Sequence, residues 1–351
     1  MHEAGMKRAK RLQKPQRVTL HHLAEHAGVS RATVSLVLRK SPLVADTTRA
    51  SVLEAVESLG YIYNRGAANL RTQRSHTIGV AINELTNPYF AELTASIQRA
   101  FSDLGRTVFI ANSEEDPARQ DQFIATMREY NVDGLAICPS QGTQRQTLRR
   151  LKDLGIPCVL ISRNVAGCGL DYAGHANQAG MQMATEHLIG LGHRRIAMVG
   201  GTDLISTGAE RRAGYREALM RHGLAVDPDL VIEGPPTRSF GAATVKALLG
   251  GNNPPTAAVC FNDVVAFGVM LGLRQVGREP GRDFAVMGYD DLAEAELWTP
   301  ALSTVAIDSV GIGAAAAQML LERIENPDAR PRRVVLQPKL MLRESSCPPR
   351  R

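Results

Sequence analysis

The sequence predicts an α/β protein in two parts: an N-terminal all-α helix-turn-helix domain, then a two-lobed core in which each lobe is a doubly wound parallel sheet. Three observations carry this. Residues 19–59 hold three helical patterns with almost no strand signal. From Thr77 onward, short apolar runs alternate with amphipathic helical stretches. The chain has 351 residues, and a single core rarely grows past about 250–300.

The elements follow in order. Leu20, Leu23, Ala24 and Ala27 recur at helical spacing, and Gly28 stops the run, suited to the left-handed position after a helix. Ser30 can cap the next helix, with Val34 and Val37 on its inner face. Asp46 is placed to cap a third helix whose apolar positions are Val52, Leu53, Val56 and Leu59, ended by Gly60. After a Tyr-Ile-Tyr-Asn turn, Arg65 to Thr72 is Ala-rich and helix-capable but too short to be stable alone. Strands are expected at Ile78–Ile82, Val108–Ala111, Gly134–Cys138, Cys158–Ile161, Ile196–Val199, Ala257–Cys260 and Phe284–Met287. Alternation at this spacing means parallel sheets with helices on both faces. There are about twice as many units as one open sheet needs, so two sheets face a cleft built from the carboxyl ends of their strands.

Charge narrows the partner. The net charge is +6, but residues 1–75 hold 13 Lys and Arg against 5 Asp and Glu, and the rest holds 28 against 30. The positive excess surrounds the helix-turn-helix pattern, which favours a polyanion. No apolar run approaches a membrane helix, and the basic start lacks the apolar stretch of a signal peptide. Cys138, Cys158, Cys168, Cys260 and Cys347 show no zinc or redox spacing. Free thiols and a cytoplasmic location are the expectation, with no cofactor and no metal. No Gly-x-Gly-x-x-Gly opens a helix, and neither a Walker lysine motif nor a Gly-x-Ser-x-Gly elbow is present. A dehydrogenase, kinase or hydrolase is disfavoured. A transport-type solute-binding protein would suit the core but not the helix-turn-helix.

Geometry gives each part of Val18–Leu38 a task. Ala24 is small where the second helix crosses, Gly28 makes the turn, and Val29 fills the angle. Ser30 starts the recognition helix, whose first side chains enter the major groove. Arg31, Ala32 and Ser35 then face base edges. Arg31 can read guanine with two donors, and Ala32 can meet a thymine methyl. Thr33 can reach a phosphate, and Arg39, Lys40 and Arg49 would pair with phosphates.

These residues resemble the LacI/GalR repressors, and the likeness runs from Val18 to about Ser346. The pattern Leu-Ala-x-x-Ala-Gly-Val-Ser-x-x-Thr-Val-Ser starting at Leu23 carries it. Val44-x-x-x-Thr-Arg49, Leu59-Gly-Tyr61 and Asn64-Arg65 support it. The resemblance implies DNA contacts by Thr19, Ser30, Arg31, Ala32, Thr33, Ser35, Arg39, Thr48 and Asn64. It matches Arg65–Thr72 to a hinge helix and Leu70 to an apolar wedge in the minor groove. It also implies a periplasmic-binding-protein-like core. The expected division is a disordered basic arm at 1–17, the helix-turn-helix domain at 18–63, a hinge and linker at 64–75, the effector-binding and dimerisation core at 76–346 and a tail at 347–351. Within the core, lobe 1 takes about 76–175 and 306–327, and lobe 2 about 176–305 and 328–346.

Core motifs extend the resemblance: Asn87-Pro-Tyr-Phe90, Gly192-His-Arg-Arg-Ile196, Thr207-Gly-Ala-Glu-Arg211, Asn262-Asp263, Gly288-Tyr-Asp-Asp291 and Thr299–Val305. They imply an effector site of Asn87, Tyr89, Phe90, Arg163, Thr207, Arg211, Asn262 and Asp290. Rings, a planar guanidinium and hydroxyl acceptors suit a sugar or sugar derivative. The chain departs from the family where Ser162 precedes Arg163 and Ala176 precedes Asn177, since sugar-responsive relatives commonly carry aspartates there. Ile205 lies where purine-responsive relatives carry arginine. The sugar is therefore open, and so is a phosphorylated or acidic ligand. Two-fold operators require two half-sites, so the expected partners are pseudo-palindromic double-stranded DNA, the effector and a second copy of the chain. The tail has no leucine heptad, which favours a homodimer.

Overall fold

The computed structural model describes residues 18–39, 41–62 and 74–348. Two compact units divide between residues 73 and 74.

The first unit holds α1 (Leu20–His26), α2 (Arg31–Leu38) and α3 (Asp46–Ser58). They enclose Leu23, Ala24, Val34, Val37, Val44, Val52 and Ala55. Gly28 has φ +66°, the left-handed region that costs other residues about 1–2 kcal/mol. Val29 N–H donates back to Ala24 O at 3.0 Å and closes the α1–α2 turn. Two details correct the sequence reading. Asp46 is the first residue of α3, and Ala45 is its cap. Its exposed carboxylate complements the helix dipole instead of binding an N–H. Leu53 is 50% exposed, because the inward stripe runs through 52, 55, 56 and 59 and leaves 53 beside it.

The second unit has a six-stranded parallel sheet in lobe 1. Its strands are β1 (Thr77–Ile82), β2 (Thr107–Asn112), β3 (Gly134–Ile137), β4 (Cys158–Ile161), β5 (Asp171–His175) and β11 (Arg333–Leu336), in the order β11-β5-β4-β3-β1-β2. The helices α4 (Pro88–Ser102) and α12 (Ser309–Glu325) cover one face, while α5 (Pro117–Glu129) and α6 (Arg145–Asp153) cover the other. Lobe 2 has the parallel order β7-β6-β8-β9, from β6 (Ile196–Val199), β7 (Val231–Ile232), β8 (Ala257–Cys260) and β9 (Ala285–Met287). On it, α7 (Asn177–Gly190) pairs with α8 (Ser206–Arg221), and α9 (Arg238–Leu249) with α10 (Asp263–Gln275). The short α11 (Ala293–Leu297) follows β9. An antiparallel pair, β10 (Thr304–Ala306) with β12 (Lys339–Met341), completes the core.

One boundary is corrected. Residues from 328 were expected in lobe 2, yet β11 pairs in parallel with β5, from Arg333↔Tyr172 to Leu336↔His175. The free edge of β5 lies beside the end of α12, so the chain fills that edge before crossing to β12. The connections after β5, β10 and β11 are the crossings between lobes. The carboxyl ends of β1, β3, β4 and β5 meet those of β6, β8 and β9 at the cleft, the usual ligand position in open α/β sheets.

Candidate nucleic-acid interface and ligand chamber

The first candidate site is the start of α2. Ser30 is extended (φ −75°, ψ 153°), and its Oγ accepts from Thr33 N–H at 3.1 Å. The Thr33 hydroxyl lies 2.9 Å from the same Oγ, so Ser30 and Thr33 form one cap. This leaves Arg31 and Ala32 exposed in the first turn. Arg31 makes no hydrogen bond or ion pair among the described residues, and no acidic residue lies in that turn. An uncompensated helix N-terminus with a free guanidinium suits an anion. Ser35 is half-buried on the same helix. Arg39 ends α2, stays exposed, and donates from Nε to Ser35 O at 3.1 Å.

Other predicted contacts are distributed differently. Thr19 caps α1, its N–H donating to His22 Nδ1 at 3.3 Å. Thr48 is half-buried on α3. Arg49 was expected at a phosphate, but its Nη2 donates to Ser41 O at 2.7 Å and Val44 O at 3.4 Å. It clamps the α2–α3 loop, whose carbonyls would otherwise lack donors. Lys40, Asn64, Leu70 and the Arg65–Thr72 hinge lie outside the described residues, as do the 1–17 arm and residues 349–351.

The second site is in the core, where Arg211 of α8 is 4% exposed. Its Nε donates to Asn177 Oδ1 at 3.0 Å, one Nη donates to Phe261 O, and the other lies 3.3 Å from His175 Nε2. Asp290 Oδ1 faces it at 3.6 Å. The guanidinium carbon sits 3.7 Å from the Tyr289 ring centre and 4.7 Å from that of Phe261. Rings continue into lobe 1: Tyr289 to His175 at 5.9 Å, His175 to Tyr89 at 6.2 Å, and Tyr89 to Phe90 at 5.1 Å between centroids. Asp290 holds its place with φ 120°, its N–H donating to Val305 O at 2.9 Å.

Electrostatics follow from burial. Desolvation pushes the Asp290 carboxyl up to about 8, opposed by Arg211. Burial, with Arg211 beside it, pushes His175 down to about 3, so the imidazole is neutral. Burial also raises the Tyr89 and Tyr289 phenols. Tyr89 Oη, Tyr289 Oη and His175 Nδ1 are buried without a hydrogen-bond partner. Such groups are rare in folded proteins and invite an external partner.

On the lobe 1 side, Arg163 forks onto Glu115, Nη1 to Oε2 at 2.8 Å and Nη2 to Oε1 at 2.6 Å. Next to it, Asn164 N–H donates to Ser206 Oγ at 2.9 Å, a contact between lobes at the first residue of α8. Thr207 is buried one residue further. Asn87 and Asn262 bound the chamber as helix caps, accepting from Tyr89 N at 3.1 Å and Val265 N at 3.0 Å. The structure thus gathers Tyr89, Phe90, Arg211 and Asp290 around one ring ladder and sets Arg163 on its own carboxylate. Sequence reasoning missed Glu115, His175, Phe261 and Tyr289 as members. Tyr289 lies inside a motif that was singled out, and Phe261 adjoins Asn262, so adjacency was the available signal for both. Asn177 was named only as the residue after the departing Ala176, not as an Arg211 partner. Among the described residues no His, Cys, Asp and Glu group could hold a metal.

Known proteins fit this arrangement. Residues 19–64 match the family described as bacterial regulatory proteins, lacI family, and residues 75–344 match periplasmic binding proteins and sugar binding domain of LacI family. The chain is 31% identical over 336 residues to the maltose regulon regulatory protein MalI of Escherichia coli, covering 93% of this chain and 98% of that one. It is 31% identical over 327 residues to the HTH-type transcriptional repressor PurR of Aliivibrio salmonicida, with the same coverage. A lac repressor dimer bound to operator and the anti-inducer ONPF superposes with a TM-score of 0.85 at 26% identity, covering 95% of this chain and all of that chain. A three-helix unit whose second helix offers an unpaired arginine, a two-lobed core and relatives matched along nearly their full length lead to one assignment: the chain belongs to the LacI family of bacterial regulatory proteins.

Proposed function

We infer that this protein is a sequence-specific DNA-binding transcription repressor whose grip on its operator is set by a small sugar-like molecule bound in the core chamber. The observation that carries this reading is Arg31, exposed and unpaired at the capped start of α2, in a unit separate from a chamber of unpartnered polar groups. The relatives are named as regulators and repressors, and one solved relative is a lac repressor dimer on operator DNA. We therefore read this chain as a homodimer on a pseudo-palindrome, one α2 per half-site. Arg31 and Ala32 would read bases with Ser35. Thr19, Ser30, Thr33, Arg39, Thr48 and Asn64 would set position, and Leu70 would wedge the minor groove. A solute-binding role without DNA leaves the helix-turn-helix match unexplained. No helix among the described residues is long and apolar enough to cross a membrane.

Coupling between the sites works through the lobes. A ligand touching Tyr89, Phe90 and Arg163 from lobe 1, and Thr207, Arg211, Asn262 and Asp290 from lobe 2, alters how the lobes meet at Asn164–Ser206. Asn87 would support Tyr89. Coupling between two such sites is typically about 1–3 kcal/mol. The test is selection of operator sequence from random duplexes, then titration of that duplex with a sugar panel. A palindromic motif whose affinity shifts about 5–150-fold with one sugar supports the reading. Ligand turnover at an enzymatic rate, or binding blind to sequence, refutes it.

A further inference from the structure

We infer that His175 is a specificity-determining residue of the effector site: its Nδ1–H donates to the effector, which must present an accepting oxygen (hydroxyl, ring ether or carbonyl) where β5 leaves lobe 1. This rests on reading the chamber as the effector site. The first support is the place of the proton. Burial, with Arg211 beside it, keeps the imidazole neutral, and a neutral imidazole has one N–H and one bare nitrogen. Arg211 Nη2 lies 3.3 Å from His175 Nε2. A guanidinium only donates, so Nε2 is the bare nitrogen and the proton sits on Nδ1. That Nδ1 is buried without a hydrogen-bond partner, and a buried donor left unpaired is costly. The Tyr89 and Tyr289 hydroxyls are unpartnered as well, but an O–H both donates and accepts, so neither imposes a polarity. His175 does.

The second support is that the donor is fixed in place and reachable. The ring is 2% exposed and sits between Tyr89, nearly edge-on at 6.2 Å, and Tyr289 at 5.9 Å. Its backbone ends β5 opposite Leu336 of β11. Beside it, Ala176 N–H donates to Leu336 O at 3.0 Å, and the His175 carbonyl accepts from Asn177 Nδ2 at 3.4 Å. A donor already held this way costs little to order on binding. His175 also lines an adjoining groove of about 370 Å³, together with Tyr172, Asn177, Glu210 and Arg333, so a small molecule has a way to it.

The third support is position. The chain enters α7 at Asn177, and β11 ends at Leu336, level with His175. Two of the three crossings between lobes therefore leave lobe 1 beside this donor. An effector oxygen bound to Nδ1–H is fastened at the hinge, and not only to one lobe or the other.

Two substitutions separate the roles of the two ring nitrogens. Asn carries its amide atoms one bond beyond Cγ, where Nδ1 stands, and Gln carries them two bonds beyond, where Nε2 stands. His175→Gln keeps an acceptor for Arg211 and loses the donor, whereas His175→Asn does the reverse. The full chain is tested with glucose, galactose, ribose, maltose and cellobiose by calorimetry and thermal unfolding, with operator binding measured in parallel. A sugar that shifts operator binding should bind His175→Asn within about threefold of the parent and His175→Gln about tenfold more weakly. Without sugar, His175→Asn should unfold at the lower temperature of the two. Labelling the histidines with 15N, and assigning His175 by the signal lost in either variant, reads the tautomer directly. The expected result is Nδ1–H in the free chain, with sugar moving the Nδ1 resonance more than that of Nε2. An Nε2–H tautomer, or equal affinity of parent and His175→Gln, overturns the inference. If a sugar shifts operator binding and the Nδ1 resonance stays in place, the inference falls while the effector reading stands. If no sugar changes unfolding or operator binding, both fall.

Discussion

Replacing Arg211 by lysine tests the chamber most directly. The guanidinium reaches four groups: Asn177 Oδ1 at 3.0 Å, Phe261 O, His175 Nε2 at 3.3 Å and Asp290 at 3.6 Å. Its central carbon also lies over the Tyr289 ring, 3.7 Å from the centroid. An ammonium is a point with three donors and cannot span this fork. Placed toward Asp290, it strands the Asn177 and Phe261 oxygens, and each buried orphan costs about 1–3 kcal/mol. Together they give about 2–6 kcal/mol, and the lost stacking on Tyr289 adds to it. We expect Arg211→Lys to destabilise the core by about 3 kcal/mol or more, a drop of roughly 6–12 °C for a domain of this size. Urea and thermal unfolding of the full chain, followed by tryptophan emission from Trp298 of the core, measure it. Binding to operator without effector should persist at temperatures where the core remains folded. A loss below about 0.5 kcal/mol would refute the shared fork.

Four further outcomes are expected. Ser30→Ala removes the cap to Thr33 N and should weaken α2 by about 1 kcal/mol, read as a lower unfolding midpoint; an unchanged midpoint contradicts the cap. Arg31→Ala should relax base preference at one position of each half-site, by about 1–3 kcal/mol of discrimination, and an identical selected motif removes its reading role. Leu70→Ala should reduce operator bending, and equal bending by parent and variant rejects the wedge. For Asp290 the sign is set by a folded value raised to about 8 from 3.8: the folded state holds the proton more tightly, so stability is full at low pH and is lost as pH rises between these values. Asp290→Asn should therefore flatten the fall in urea midpoint between pH 5 and 8, and parallel curves would show that Asp290 is ionised throughout.

The first unit was legible because its signals are local. Ser30 caps within three residues, and Gly28 turns where no side chain competes. The seven strands read from the sequence are continuous apolar runs; six are buried along their length, as expected of strands covered on both faces, while β2 at the sheet edge leaves Phe109 and Ile110 exposed. β5 was invisible for the opposite reason: Asp171-Tyr-Ala-Gly-His175 is polar at both ends, because Asp171 binds Arg323 and His175 reaches the chamber. The placement of β11 beside β5 was also hidden, since no pattern within Arg333–Leu336 encodes a partner some 160 residues earlier. In the chamber, residue types could nominate Arg211 and Asp290. They could not tell that Asn177, His175 and Phe261 O already occupy the guanidinium, or that Arg163 is closed by Glu115. Those facts depend on where strand ends meet.

The late return of β11 has a consequence for synthesis. Lobe 1 begins with Thr77, yet its sheet keeps one open edge at β5 until residues 333–336 are made. On the ribosome, α1–α3 can fold long before that, while the β5 edge waits through the whole of lobe 2. An unpaired strand edge is a template for unwanted pairing, so a chain cut after α12 should be prone to aggregation, although only its last strands are missing. The same delay ties control to completion: the DNA-reading unit can fold early, but the chamber that would govern it cannot close until almost the last residues are in place.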